Sequence, residues 1–172
     1  MSDELIDIID DNNNIISKEL KSVVHRKGLN HRVSATLLQR NDGKYLFPTA
    51  SEVKVEAGKL FHSSAGHVRA GETYKISALR ELQEECGIIA NEAILIGTFW
   101  FNKQYKDRIE RERFEVYRVK YTVSMGKVKL NEEQVNEQWL SEDELRDIFI
   151  NSIDYLSEPL KKTCIEIFQF SN

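Results

Sequence analysis

Apolar and polar positions first fall into register over Leu5 to Ile9 (LIDII), which predicts a short strand. The turn-rich DDNNN and a second apolar pair, Ile15-Ile16, then predict a hairpin over about residues 4–17. Gly28 and Asn30 break the following stretch, and Val33 to Gln39 reads as a strand. Asn41-Asp42-Gly43-Lys44 is a hairpin turn, because Asp-Gly supplies the backbone angles such turns need. Tyr45 to Phe47 begins the return strand, Pro48 ends it, and the polar run Thr49 to Lys59 is expected to be a loop crossing the molecule. Later segments predict strands at Ala93 to Phe101 and Phe114 to Val123, with the charged run NKQYKDRIERER between them as a solvent-facing hairpin loop or strand edge. A short strand ending at Trp139 leads to a helix over about 141–149, with Ser141 and Glu144 forming a capping box. A last helix spans about 157–168, with Pro159 in its first turn.

The most ordered pattern lies in the middle, GHVRAGETYKISALRELQEECGI from Gly66 to Ile88. Thr73 can cap a helix by accepting from a first-turn amide, and Gly87 suits the left-handed cap that ends it. Ile76, Leu79, Leu82 and Cys86 recur at helical spacing and predict its buried face. Glu81, Glu84 and Glu85 then fall within an arc of roughly 100°, away from that stripe. Three carboxylates so close repel one another unless a cation sits between them, and a hard divalent ion such as Mg²⁺ or Mn²⁺ takes oxygen ligands of this kind. A solvated acidic helix face is the plainer alternative for ELQEE alone.

Composition changes the picture little. A chain of 172 residues fits one domain, and its hydrophobic share of 41% and charged share of 30% are ordinary for a globular protein. A net charge of −4 gives no overall attraction to nucleic acid or to an anionic membrane. No apolar run approaches the length of a membrane span, and the acidic start MSDELIDIID lacks the basic and apolar regions of a secretory signal, so a cytoplasmic protein is expected. Two cysteines, Cys86 and Cys164, make neither a disulfide framework nor a zinc spacing. His25 and His31 stand in an apparent loop region, where they could serve a metal or a phosphate or be structural. Phe99, Trp100 and Phe101 are core aromatics or a stacking platform for a base.

Gly66, Glu72, Arg80, Glu81, Leu82, Glu84, Glu85, Gly87 and Ile88 stand in one fixed spacing, G-x5-E-x7-R-E-U-x-E-E-x-G-U with U a bulky aliphatic. This resembles the Nudix box of the Nudix hydrolases at every specified position. The resemblance implies an α/β fold, an α/β/α sandwich with a mixed, curved central sheet and a loop–helix–loop box. It implies a metal-dependent hydrolase that directs water onto a diphosphate linkage of a small molecule, with nucleoside diphosphate derivatives the first class. Glu81, Glu84 and Glu85 would be Mg²⁺ or Mn²⁺ ligands, with one able to orient or deprotonate water, and the Gly66 carbonyl could add another ligand. Glu72 and Arg80 would pair to hold the box together. A further acid outside the helix often completes such sites, and Glu112 and Glu137 are the candidates. Arg40, Arg69 and Trp100 are candidates for substrate contact, while partners are limited to a small diphosphate, with a homodimer left open.

ELIDIIDDNNNII, VVHRKGLNHRV and SSAGHVRAGE further resemble the branch related to isopentenyl diphosphate isomerase. Isomerases of that branch use a cysteine directly before the box glycine for proton transfer, and this chain has Ala65 there, although Glu112 could be the other acid. The branch also often carries a glutamine–arginine–arginine run, where this chain has Pro48, Thr49 and Ala50. Arg40, Arg69 or Lys54 would have to substitute. A nucleotide-binding sensor without catalysis is a further alternative.

Overall fold

The computed structural model describes residues 3–171. Strands β1 (Leu5–Ile9) and β2 (Ile15–Leu20) form the expected antiparallel hairpin, with the second arm longer than Ile15-Ile16 alone suggests. Helix α1 (Lys21–Lys27) follows where no helix was expected, closed by Gly28 in the left-handed region at φ 60°. Seven residues are too few to establish a helical period, which is why KSVVHRK is silent as sequence.

Strand β3 (His31–Gln39) is the axis of the sheet. Along one edge it pairs in parallel with β8 (Ile109–Lys120), which in turn pairs antiparallel with β7 (Ile94–Gln104). Along the other edge it meets β1 at His31, β6 (Ser64–His67) over Val33 to Thr36, and β4 (Tyr45–Leu46) at Gln39. Strand β10 (Trp139–Leu140) extends the sheet beyond β4, giving a mixed eight-stranded sheet. Every residue of β3 but its last is buried, so the strand shows no alternation.

Helix α2 (Tyr74–Cys86) covers one face, and α3 (Glu142–Asn151) with α4 (Glu158–Glu166) cover the other. This is the mixed α/β architecture expected, with a core on each side of the sheet. Val33, Ala35, Leu37, Phe99, Phe114 and Val116 pack with Leu145, Phe149 and Leu160, while Leu38, Tyr117 and Val119 pack with Ala78, Leu82 and Cys86. Phe99 and Phe101 therefore belong to the core. The caps of α2 and α3 are those read from Thr73, Gly87, Ser141 and Glu144, and α4 ends two residues before the expected Phe168.

Other expectations are corrected. Thr49–Ala50 is β5, paired with β9 (Gln134–Val135), so the supposed crossing loop begins as a strand. Strand β8 starts at Ile109 rather than Phe114 and ends at Lys120 rather than Val123, placing Glu110 to Glu112 in the sheet rather than in a solvent loop. Ile76 is 55% exposed and not part of the buried face of α2. That face is Tyr74, Ser77, Ala78, Glu81, Leu82, Glu85 and Cys86, so two of the three acids lie on the inner side of the helix.

Candidate active site

A cleft of about 1100 Å³ opens beside β6, between α1, α2, the 53–56 loop and the 131–133 loop. Strand β6 pairs with β3 along one edge, and its other edge meets α2. The backbone N–H of Ala65 donates to Glu85 Oε2 at 3.1 Å. Gly66 lies directly against the carboxyl of Glu81, leaving no room for even one methyl group. Its backbone is not in the left-handed region, so close approach alone explains the glycine. Glu84, next to Glu85 on α2, is exposed on the rim of the cleft.

Arg80 organises this acidic group. Its guanidinium forks onto Glu72, with Nε to Oε1 and Nη2 to Oε2 both at 2.9 Å. Nη1 reaches Glu81 at 2.6 Å and Glu84 at 3.2 Å, and Nη2 also donates to the His67 carbonyl at 3.1 Å. Burial would raise the Glu72 carboxyl, but hydrogen bonds from Arg80 and the Arg69 amide outweigh it and hold the group low. Burial has the upper hand elsewhere: it raises Glu81 despite Arg80, and pushes Glu85 up to about 8 despite Lys54. Burial that outweighs the neighbouring cations marks Glu81 and Glu85 as candidates for a functional site.

A second constellation shares the cleft. His25 on α1, His31 at the start of β3, His67 at the end of β6, and Glu110 and Glu112 on β8 bring five ligand-type atoms within 4.8 Å of one another. The register is responsible: His31 lies opposite Glu112 and Val33 opposite His67, while Glu110 and Glu112, two apart on a strand, point to the same side. His31 Nδ1 is oriented by the Leu29 carbonyl at 2.9 Å, and His25 Nε2 lies 3.0 Å from His67 Nε2. His31 Nε2 and Glu110 Oε2 are buried with no hydrogen-bond partner among the described residues. Burial lowers His25 to about 4 and takes His67 well below the ordinary range. Burial and neighbouring Glu112 push Glu110 up to about 8. Three imidazoles beside two carboxylates, with His31 Nε2 and Glu110 Oε2 left unpartnered, fit a transition-metal ion.

The structure separates the remaining candidates. Glu112, Arg69 and Lys54 line the cleft. Arg69 bonds Glu4 at 2.8 Å and lies 3.7 Å from Glu84, and Lys54 lies 3.6 Å from Glu85 and is paired with Glu133. Glu137, Arg40 and Trp100 lie outside the cleft lining. Glu137 accepts from the Trp139 indole at 2.5 Å, Arg40 stacks over Trp139 at 4.7 Å, and Trp100 has Arg113 over its ring at 5.9 Å. Lining residues that sequence reasoning missed are Lys21, His67, Arg108, Glu110 and Glu133. The E-x-E spacing of Glu110 and Glu112 inside a β-rich run was the available signal, since it puts both acids on one strand face.

A NUDIX domain model matches residues 29–158. The chain is 31% identical to an uncharacterised Nudix hydrolase of Yersinia pestis over 83% of its length and 75% of the relative's. It is likewise 31% identical to one of Clostridium acetobutylicum, over 98% of this chain and 79% of that one. An isopentenyl-diphosphate Delta-isomerase of Serratia proteamaculans is 32% identical over 67% of this chain and 65% of its own. Among solved structures, DR0079 from Deinococcus radiodurans superposes with a TM-score of 0.74 at 17% identity, covering 98% of this chain and 100% of that one. That likeness speaks for the fold. No helix among the described residues is long and apolar enough to cross a membrane.

Proposed function

This chain belongs to the Nudix family, and from that premise we propose that its cleft hydrolyses a diphosphate linkage in a small molecule with the help of Mg²⁺ or Mn²⁺. The observation that carries the reading is the placement of Glu81 and Glu85 against the Gly66 and Ala65 backbone, in a cleft whose lining is predominantly acidic and includes Lys21, Lys54, Arg69 and Arg108. Glu81, Glu84 and Glu85 would hold the ion, with the Gly66 carbonyl as a further candidate ligand. When bound, such an ion neutralises phosphate charge and makes a coordinated water more acidic.

The chain's own residues account for the rest. Lys21, Lys54, Arg69 and Arg108 line the cleft, each paired with one of its carboxylates, and are the groups that would contact phosphate in place of the basic run missing at Pro48 to Ala50. Phe61, Phe101, Tyr105 and Phe114 give the cleft a wall for the organic part of the substrate, with a nucleoside the first choice and a hydrocarbon the second. Arg80 holds the acids in place through Glu72 and Glu81. The reaction adds water across the P–O–P bridge. The water oxygen bonds to one phosphorus, the bridging oxygen leaves with the other, and the released proton passes to a carboxylate or to solvent. The histidine and glutamate cluster would hold a second, softer ion facing the same cleft.

One relative's description as an isomerase favours a second reading, proton transfer on a homoallylic diphosphate. Glu112 is placed for it, but Ala65 offers only a methyl group where a proton carrier is needed, and the hydrolase is preferred. The test is product release from a panel of ADP-ribose, dinucleotides, nucleotide sugars, coenzyme A, nucleoside triphosphates and isopentenyl diphosphate with Mg²⁺ or Mn²⁺. Turnover absent from Glu85→Gln supports the hydrolase. An isomer with its diphosphate intact supports the second reading, and tight binding without turnover supports a sensor.

A further inference from the structure

Glu85 is 4% exposed, and its two oxygens have different surroundings. Oε2 accepts two hydrogen bonds, from the Ala65 backbone at 3.1 Å and from Gln134 Nε2 at 2.8 Å. Oε1 faces the Lys54 ammonium at 3.6 Å, beyond hydrogen-bond distance. One oxygen is therefore committed to the protein and the other is turned toward the cleft.

Gln134 is itself held firmly. It lies on β9 opposite Ala50 of β5 and is 6% exposed. Its Nε2 also donates to the Ser63 carbonyl at 3.0 Å, and its Oε1 lies 3.9 Å from the Cys86 thiol as an acceptor. The Ser63 carbonyl and the ionised Glu85 carboxylate can only receive, so with Glu85 ionised the amide has one orientation that satisfies both. A glutamate in this position would have no proton to give and would set a second charge against Glu85. A leucine would leave Oε2 underbonded in a buried place.

We propose that Gln134 is a positioning residue for the metal site: it ties down Glu85 Oε2 so that the carboxylate presents Oε1 alone to a divalent cation. The inference rests on the proposed role of Glu85 as a ligand. Outer partners of this kind fix the direction of a ligand, and their removal typically weakens metal binding or activity about 10- to 100-fold. Nothing in the Nudix box predicts the residue, because β9 lies nearly fifty positions away in sequence and reaches Glu85 only through the fold.

The experiment is Mg²⁺ calorimetry on the full chain as wild type, Gln134→Met, Glu85→Gln and the double variant, with a thermal melt on each. Mg²⁺ is the probe because it favours the oxygen ligands over the histidine cluster. Gln134→Met should bind Mg²⁺ about 10-fold or more weakly. In the Glu85→Gln background the same change should cost nothing further. Gln134→Asn, which keeps the amide but not its reach, should follow Gln134→Met, and serves if the methionine variant does not fold. In turnover, kcat should fall more than KM rises. Unchanged Mg²⁺ affinity, or an equal loss in both backgrounds, would overturn the proposal. If Glu85→Gln itself binds Mg²⁺ as wild type does, the ligand role of Glu85 falls and the proposal with it. If Mg²⁺ behaves as expected but no diphosphate is cleaved, the hydrolase reading alone fails.

Discussion

Gly66→Ala is the smallest change that should disable the cleft. A Cβ built on Gly66 would stand 2.6 Å from Glu81 Oε2 and closer still to its Cδ and Oε1, against an ordinary contact of 3.4–4 Å. The carboxyl has little freedom to yield, since Glu81 is 9% exposed and bonded to Arg80 at 2.6 Å. It must retreat by roughly 1 Å, and misplacement on that scale at a reacting centre costs about 100-fold in rate. The overpacking should cost about 1–3 kcal/mol of stability, a fall of some 2–12 °C in Tm for a chain of this size. Gly97→Ala is the control, because its added Cβ would meet the Ile167 side chain at 2.7 Å, a collision between residues outside the cleft lining. Steady-state kinetics on the substrate identified from the panel, with thermal melts, reads both. Gly66→Ala should lose about two orders of magnitude in kcat/KM while Gly97→Ala loses stability but keeps its rate when folded. Full activity in Gly66→Ala would refute the claim that Glu81 works from its place against that backbone. Equal losses in the two variants would assign the effect to general loosening.

Arg80→Met removes the shared counter-ion of Glu72, Glu81 and Glu84, and should cost roughly 2–4 kcal/mol in denaturant melts together with most of the activity. Arg80→Lys keeps the charge without the fork onto Glu72, and should restore less than half of that stability. His62 is buried, bonds Thr163 Oγ1 at 2.7 Å, and is lowered by burial to about 3, so it is neutral when folded and takes a proton on unfolding below its ordinary 6.5. Its contribution is complete above pH 6.5 and is lost as pH falls toward 3, about 2 kcal/mol by pH 5, and the difference between wild-type and His62→Phe stability curves across that range should show it. Co²⁺ added to the protein should give visible absorption from the histidine cluster, and His31→Ala should abolish it. Unchanged spectra in that variant would exclude the cluster as the binding place.

The box was legible because its demands are local. A cap at Thr73, a left-handed Gly87 and three acids at helical spacing all act within one helix, and each leaves its mark in consecutive residues. The sequence misled about which side of the helix the acids occupy. Helical spacing gives relative angle but not which neighbour each face will meet, and β6, the strand that meets Glu81 and Glu85, is four residues of small and polar character with no strand signal. The second constellation was harder. Its five members come from α1, β3, β6 and β8: the pairing of β3 with β6 and β8 brings four of them together, and the packing of α1 against β8 adds His25. His25 and His31 were visible as histidines but not as partners of Glu110 and Glu112, 79 to 87 residues later.

Strand β6 explains why the two constellations share one cleft. Its three consecutive residues from Ala65 to His67 serve different tasks: the Ala65 amide fixes Glu85, the Gly66 backbone receives the Glu81 carboxyl, and the His67 ring joins the histidine cluster. The His67 carbonyl also accepts from Arg80, so the same residue is tied to the hub of the acidic group and to the second site. A strand edge that must satisfy its own backbone groups does so here with catalytic-type side chains rather than with another strand. Any shift of β6 along β3 would therefore disturb both sites together. The buried bond between Thr36 and Ser64 at 2.6 Å joins β3 to β6 and is placed to resist it, while Ser34 to Ser77 at 2.9 Å ties β3 to α2. Small polar residues at Ser34, Thr36, Ser64 and Ser77, which look like weak core positions, are the ones that set the spacing of β3 from α2 and from β6. A bulky apolar residue at any of them would enlarge that distance and withdraw Glu81 and Glu85 from the backbone they rest on.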